Sequence, residues 1–254
     1  MPAELLAPSA GLAKRRQRVA DYPEGDGKPM AESDAHISHI INAREILRHW
    51  LREVEMAYAG ANMLLYYREG NPKKRVAPDV YVVWGVGKKY RRSYKLWEEK
   101  QAPQVVFEFT SRKTQEEDLG TKRLIYSRIG IEEYYLFDPY GHYLNPPLRG
   151  YQLVGEEYVL QTTETLSPPA FNGKETKQGW RLVSERLKLE LWAFPTGRID
   201  MPFELRFYDP AEGKWLVDPA QAMIEREAFA KQAREAQAEV ARLKAELEKL
   251  RDKK

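Results

Sequence analysis

The first regular pattern in the sequence is helical. Over residues 35–57, apolar side chains recur at spacings of three and four residues, which is the period of an amphipathic helix. Ser33 and Asp34 stand directly before the pattern, and both are residue types that cap the first turn of a helix. Residues 1–33 are rich in proline, glycine and charge, so we expect them to form a mobile arm.

Short apolar runs follow this helix and predict strands at 62–67, 79–85, 104–110 and 133–139. The run at 79–85 is apolar on both faces, which is typical of a strand in the centre of a sheet. Between the last two strands, a helix is predicted that ends at Gly130. The pattern therefore predicts an α/β core over residues 34–141.

The pattern changes in the second half of the chain. Short aromatic strands alternate with glycine and proline turns over residues 142–217, which predicts a β-rich extension. Residues 218–254 predict one long helix, because Asp218, Pro219 and Gln221 supply an N-cap, a first-turn proline and a capping-box glutamine. Its apolar residues alternate in spacing between four and three, the repeat of a coiled coil: Phe229, Ala233, Ala236, Val240, Leu243, Leu247 and Leu250. This seam favours a homo-oligomer, although the helix could also lie on its own domain or fray in solution.

Composition narrows the class of protein. The chain has 254 residues, of which 43% are hydrophobic and 31% are charged, as is usual for a globular protein. It has no cysteine, which excludes disulfides, thiolate nucleophiles and cysteine-based zinc sites. No apolar stretch is long enough for a signal peptide or a membrane span, so we expect a cytoplasmic protein without a membrane partner. The net charge of +3 is too small to indicate nucleic-acid binding by itself.

One residue of the third predicted strand conflicts with its surroundings. Glu108 stands in the apolar run QVVFEFT, and a carboxylate buried without a partner is very costly. Its partner could be a basic side chain such as Lys122 or Arg123, a proton, or a metal ion. Asp79 opens the neighbouring strand directly after Pro78, so the two acids could converge. Mg²⁺ binds through one or two carboxylates and keeps several waters, which makes a metal site one of the three alternatives.

Two stretches resemble a known family. APDVYVV, followed by VVFEFTSRKTQEEDLGTKRLIYSRIGIEEYYLFDP, is similar to the Uma-two family of bacterial endonucleases, a branch of the PD-(D/E)XK nuclease superfamily. The resemblance runs from about Ala35 to Asp138. It implies a restriction-endonuclease-like core, with a mixed central β-sheet flanked by helices. It also implies Mg²⁺-dependent hydrolysis of DNA, with Mn²⁺ as a substitute ion.

The resemblance implies roles for particular residues. Asp79 matches the motif aspartate and Glu108 matches the acid of (D/E)XK, so these two would hold the metal, together with the backbone carbonyl of Phe109. The lysine of the motif would stand at position 110, on the same strand face as Glu108. This chain has Thr110 there.

A lysine in the following helix matches the family pattern. Asp118, Lys122 and Tyr126 follow one another at intervals of four, so they share one helix face. Lys122 would take the catalytic role of the missing lysine, and Lys113 is a nearer candidate that we expect in the turn. His36 would approach the site from the first helix. Without the resemblance, these residues would be interpreted as a solvated ion pair, a packing tyrosine and a surface histidine.

Two basic segments complete the prediction. Residues 71–76 and 86–95 concentrate cations and tyrosines on either side of Asp79 in the sequence, and we expect them to flank the site in space. Cations of this kind bind the phosphates of nucleic acids, and exposed tyrosines stack on unpaired bases. The predicted DNA-binding residues are Lys73, Lys74, Arg75, Lys88, Lys89, Tyr90, Arg91, Arg92, Tyr94 and Lys95. The alternative is an exposed loop that is kept soluble by its charge.

Two other functions remain open at this point. Thr110 at the lysine position favours a protein that binds DNA on a nuclease fold without cutting it. The long C-terminal helix favours an assembly protein, for which the core is a scaffold.

Overall fold

The computed structural model describes residues 21–25, 33–171 and 175–251. The helices are α1 (Asp34–Trp50), α2 (Leu96–Glu99), α3 (Arg123–Ile129) and α4 (Pro219–Arg251), and a π-helical turn at Glu117–Lys122 leads directly into α3. The strands are β1 (Ala57–Ala61), β2 (Leu65–Tyr66), β3 (Arg75–Val76), β4 (Val80–Trp84), β5 (Tyr94–Lys95), β6 (Val105–Phe109), β7 (Glu133–Phe137), β8 (Leu148–Val154), β9 (Glu157–Leu160), β10 (Glu164–Leu166), β11 (Gly179–Ser184), β12 (Leu189–Pro195), β13 (Phe203–Asp209) and β14 (Lys214–Trp215).

The central sheet is mixed. Its strand order is β1-β4-β6-β7-β8-β9, and only the β6–β7 pair within it is parallel. A parallel pair needs a crossover, and the π-helical turn with α3 supplies it. The strands β4, β6 and β7 lie in the middle and are buried, as their continuous apolar sequences predict.

Two smaller sheets pack on this central sheet. Strands β10 to β14 form an antiparallel sheet in sequence order, and β3, β2 and β5 form a third sheet. On one face of the central sheet, Phe107 packs against α1 and the second sheet, with its ring centroid 5.7 Å from that of Phe207. On the other face, α3 and the third sheet cover a cluster that contains Val106, Tyr126 and Tyr134.

The predicted fold class is confirmed: a mixed central sheet is flanked by helices on both faces and followed by a β-rich unit. Some boundaries differ. The first helix begins at Asp34, with the Ser33 side chain capping it through the His36 N–H at 3.3 Å, but it ends at Trp50 rather than at residue 57. Strands β8 and β9, from the predicted β-rich extension, belong to the central sheet.

Strand β1 was missed because its sequence, AYAGA, has small residues in place of the β-branched residues that mark strands. The structure gives the reason for Gly60. A Cβ there would lie 2.4 Å from the ring of Tyr81, so the tyrosine fills the space that a side chain would take.

The two ends of the chain are described in part. Residues 21–25 of the predicted mobile arm pack on the third sheet: Tyr66 donates a hydrogen bond to the Pro23 carbonyl at 2.5 Å, and Tyr22 contacts the ring of Trp97. Residues 1–20 and 26–32 lie outside the described residues. In α4, the seam positions Ala233, Ala236 and Val240 are exposed, and the side chains at the four remaining predicted positions lie outside the described part: Phe229, Leu243, Leu247 and Leu250.

Candidate active site

Two acids from neighbouring strands face each other. In the antiparallel pair β4–β6, Val80 is opposite Phe107, which sets Asp79 opposite Glu108 at the next position of the register. The Asp79 carboxylate accepts a hydrogen bond from the Phe109 N–H at 2.8 Å, and it also shares a hydrogen bond with the Glu108 carboxyl group. The convergence of the two acids that the sequence predicts is therefore present in the structure.

Glu108 is fully buried and has two donors. The Lys122 ammonium lies 2.8 Å from Oε2, and the Tyr126 hydroxyl donates to Oε1 at 2.5 Å. Lys122, not Arg123, is thus the basic partner of the strand carboxylate. The guanidinium of Arg123 instead lies 5.4 Å from the centre of the Tyr151 ring.

The π-helical turn places Lys122 between two acids. Its ammonium is also 2.8 Å from Oδ1 of Asp118, which is fully buried. Tyr134 fixes the turn by donating a hydrogen bond to the Asp118 carbonyl at 2.8 Å. Single π turns inside helices are found frequently at functional sites. Gly130 ends α3 in the left-handed conformation, with φ +82°, as the sequence predicts.

Burial and mutual repulsion hold protons on the acids. Burial is the main cause that raises the pKa of Glu108 to about 8, and the nearby charge of Asp79 adds to it, while Lys122 acts in the opposite direction. Burial likewise raises the pKa of Asp79 to about 6 and that of Asp118 to about 6. Burial disfavours the charged form of Lys122, but Glu108, Asp118 and Asp79 together raise its pKa above the ordinary value. A carboxylate cluster with raised pKa values is typical of functional sites.

The donor set fits a hard divalent cation. Two carboxylates and water are ligands that Mg²⁺ accepts, and Thr110 adds a buried hydroxyl that makes no hydrogen bond within the described part of the chain. Among the residues that the structure describes, no three His, Asp or Glu side chains are gathered into a group that could hold a metal ion by themselves. Water and backbone oxygens would therefore have to complete the coordination.

Two histidines of α1 pack near Phe109 at the end of β6, and one of them lies close to Asp79. His36 Nε2 is 3.9 Å from Asp79 Oδ2, so the first helix does bring a polar group to the site. His39 stacks on Phe109, with ring centroids 6.0 Å apart, and burial and the neighbouring His36 lower its pKa to about 4. Sequence reasoning assigned no role to His39, because a histidine one turn along a helix gives no signal of its own. Lys113 lies exposed in the turn after β6, as expected.

The start of the basic segment 86–95 lies far from the acids. It begins after Trp84, at the opposite end of β4 from Asp79, and the six residue steps from Asp79 to Gly85 span about 20 Å at strand spacing. The segment 71–76 is closer to Asp79 in sequence, because β3 ends three residues before it. Lys73 and Lys74 are exposed in the turn before β3.

Two predicted DNA-binding residues have structural roles instead. Tyr94 is fully buried and donates a hydrogen bond to the Gln101 carbonyl at 2.8 Å, so it has no face free for a base. The Arg91 side chain is only 2% exposed, binds both oxygens of Glu99 and lies 4.4 Å from the centre of the Tyr58 ring. The sequence of a basic loop does not distinguish a buried arginine such as Arg91 from an exposed one.

The remaining cations of the segment are accessible to different degrees. Lys88 and Lys89 are exposed, and Tyr90 is 98% exposed. Arg92 pairs with Glu24 at 2.5 Å, and the Lys95 ammonium lies 5.1 Å from the centre of the Tyr22 ring. These last two cations therefore hold the N-terminal segment on the third sheet.

The chain is a mixed α/β protein with two acids on adjacent central strands. The chain belongs to the Uma2 family, described as "Putative restriction endonuclease", whose profile matches residues 6–182. No curated protein matches the chain. A solved structure from Anabaena variabilis, described as "a putative nuclease belonging to DUF820", is similar with a TM-score of 0.40 and 13% identity, over 59% of this chain and 80% of that one. Within the described residues, no helix is both long and apolar enough to cross a bilayer.

Proposed function

We propose that this protein is an endodeoxyribonuclease that requires Mg²⁺ or Mn²⁺ and hydrolyses phosphodiester bonds of DNA. The observation that carries the proposal is the convergence of Asp79 and Glu108 beside Lys122. The family to which the chain belongs supports a nuclease, and the geometry supports these residues as its catalytic group.

Each residue of the group has a distinct proposed task. Asp79 and Glu108 hold the ion, joined by the Phe109 carbonyl. When bound there, a divalent ion would offset charge on the scissile phosphate and lower the pKa of a water molecule. Lys122 orients the attacking water or offsets phosphate charge, and it is 12% exposed, so it is the member of its ion pairs that reaches the surface.

Three residues support this group. Tyr126 and Asp118 position Glu108 and Lys122 through the contacts described above, and His36 supports Asp79 from α1. Lys73 and Lys74 are proposed to contact the DNA backbone near the site.

The proposal is tested by a cleavage assay on single- and double-stranded DNA, with Mg²⁺, Mn²⁺, Ca²⁺ and EDTA. Glu108→Gln and Asp79→Asn keep the shape of each side chain and remove its charge. Mutation of a residue that only supports a metal ligand typically lowers activity roughly 10–100-fold. We expect the cleavage rate of each variant to fall by more than that.

Glu133→Gln is the matched control, since Glu133 is also a buried strand glutamate. Glu133 lies on β7, away from the proposed ligands, and its buried carboxylate accepts hydrogen bonds from the Ser184 hydroxyl and the Arg186 N–H. This control should keep its cleavage rate. Wild-type rates in Glu108→Gln and Asp79→Asn would exclude the assignment.

A second candidate is a DNA-binding protein without catalysis. Lys122 already pairs with Glu108 and Asp118, and Thr110 replaces the motif lysine, so the charge of the cluster is partly neutralised by an internal ion-pair network. Such a protein would bind DNA with strong salt dependence and cut it with none of the metals. The same assay, combined with a binding measurement in EDTA, separates the two candidates.

A further inference from the structure

A second charged site lies far from the acids. A cavity of about 500 Å³ opens between the C-terminal half of α1, β1 and the basic segment after β4. Its charged and aromatic lining includes Arg44, Arg48, Arg52, Lys88, Lys89 and Tyr90, and we name this cavity the basic groove.

The cations of the basic groove come from α1, the turn after it and the segment after β4. Arg44 and Arg48 lie one turn apart on α1 and share one helix face, and Arg52 follows in the turn after the helix ends at Trp50. Among the lining residues, Glu45 is the acid, and it contacts Arg44 at 2.6 Å and Arg48 at 3.1 Å. Glu99 pairs with Lys89 at 3.1 Å and Glu53 pairs with Arg52 at 3.2 Å, so five cations against three carboxylates leave the groove with a net positive charge.

The groove has too many cations for one small anion. A single phosphate group touches one or two cations, whereas five cations spread over α1, the turn after it and the segment after β4 suit a run of phosphates along a strand, which carries one charge per about 3.4 Å of duplex axis. Tyr90 stands at the rim almost completely exposed, where a base can stack on it. This combination of a cationic track and an exposed aromatic ring is typical of a nucleic-acid site.

The position of the basic groove separates it from the chemistry. Arg48 follows His36 by twelve residues along α1, which corresponds to about 18 Å of helix. That distance equals roughly five nucleotides of a duplex strand. A DNA strand that runs from the groove toward the His36 end of α1 would therefore approach Asp79, which lies 3.9 Å from His36.

We propose that the basic groove is an accessory DNA-binding site that holds the phosphate backbone about five nucleotides away from the scissile bond. The inference rests on the proposed function for its choice of ligand. It assigns to the arginines of α1 a role in holding substrate, distinct from any role in cleavage.

The test is DNA binding in EDTA, measured by fluorescence anisotropy with labelled 20-nucleotide single strands and 20-base-pair duplexes over a salt series. Arg48→Gln/Lys88→Gln should weaken binding about tenfold or more at low salt. It should also lower the salt slope by nearly two for the duplex, at about 0.9 per lost phosphate contact. Glu45→Gln should strengthen binding, because it releases two arginines.

The matched control is Arg198→Gln/Lys214→Gln. It also removes two exposed cations, which are paired with Asp200 and Glu212, but Arg198 lies in the β12–β13 turn and Lys214 on β14, away from the groove. Thermal melting checks that all variants are folded. The inference is overturned if the groove and control variants bind equally, or if wild-type protein binds no DNA at low salt. Displacement of DNA by millimolar inorganic phosphate at constant ionic strength would also overturn it, by showing a small-anion site.

These outcomes are independent of cleavage. If no metal supports cleavage but the groove variants weaken binding, the accessory site stands and the proposed chemistry fails. If cleavage depends on Glu108 but the groove variants bind normally, the chemistry stands and the accessory site fails.

Discussion

The ammonium group of Lys122 lies 2.8 Å from Oε2 of Glu108, although fourteen residues separate them in sequence. This contact brings a lysine to the strand acid from a helix instead of from the strand itself. Thr110, two residues after Glu108, leaves its buried hydroxyl without a hydrogen bond. Under the proposed function, the helix-borne lysine would take the role of a strand-borne lysine.

Lys122→Met should abolish cleavage and destabilise the fold. It leaves Glu108 and Asp118 buried without their common counter-ion, and loss of one partner of a buried pair costs about 3–5 kcal/mol. The loss in the free energy of unfolding should be larger at pH 8 than at pH 5, because protons neutralise the acids at low pH. Urea unfolding at both pH values measures it.

Lys113→Met is the control for this variant, since Lys113 is exposed in the adjacent turn. It should change the free energy of unfolding by less than about 0.5 kcal/mol. A cleaving, fully stable Lys122→Met protein would remove Lys122 from the site.

The metal-free protein should lose stability as the pH rises. Burial raises the pKa of Asp79 and of Asp118 to about 6 and that of Glu108 to about 8, from ordinary values near 4. Between those values the folded state binds more protons than the unfolded state, so the stabilisation present below about pH 4 disappears as the pH approaches 8. Thermal melting in EDTA from pH 5 to 8.5 should show a falling midpoint.

Added Mg²⁺ should reverse this loss, because it competes with protons for the same carboxylates. The increase in melting temperature should be greater at pH 8 than at pH 5.5. Ca²⁺ and monovalent salt at matched ionic strength separate site binding from general screening. An equal increase at both pH values would contradict binding at these acids.

Much of this site was visible in the sequence because its acids interrupt otherwise apolar patterns. Glu108 in QVVFEFT and Asp79 before VYVVW stand out because central strands are apolar on both faces. The interval of four among Asp118, Lys122 and Tyr126 was equally clear. The π-helical turn that aligns these three residues was not, since a π turn has no distinct hydrophobic period.

The parts that sequence reasoning missed depend on tertiary packing. Strand β1 contains Gly60 because Tyr81 occupies the adjacent space, and this is a relation between two strands that a linear pattern does not record. Arg91 and Lys88 look alike in sequence, yet Glu99 and Tyr58 bury the former. The course of β4, not the charge of the loop, places the start of segment 86–95 far from Asp79.

Glu108→Gln should make stability less dependent on pH. Near pH 5 the wild-type Glu108 side chain is a neutral carboxylic acid, so the glutamine amide replaces a group of similar polarity. At pH 8.5 the wild-type protein must hold a buried negative charge, and the variant avoids this cost. We therefore expect the variant to melt at a higher temperature than the wild type at pH 8.5 in EDTA, and an unchanged difference across the pH range would contradict the raised pKa of Glu108.

Tyr126→Phe removes the hydroxyl that donates to Glu108 Oε1 at 2.5 Å. That hydrogen bond favours the charged carboxylate, so its loss should raise the pKa of Glu108 further. The acidic limb of the pH–rate profile for cleavage should move to higher pH, while the rate at high pH changes less. A purely structural tyrosine would instead lower the rate equally at every pH.

Deletion of residues 219–254 tests the role of α4. The seam residues Ala233, Ala236 and Val240 are exposed on the single chain, and a heptad seam is buried when two helices pair. We expect the full chain to be a dimer and the truncated chain a monomer by light scattering, with unchanged Glu108-dependent cleavage per active site. A monomeric full chain would exclude α4 as an oligomer contact. Loss of cleavage in a folded truncated chain would show that assembly completes the active site.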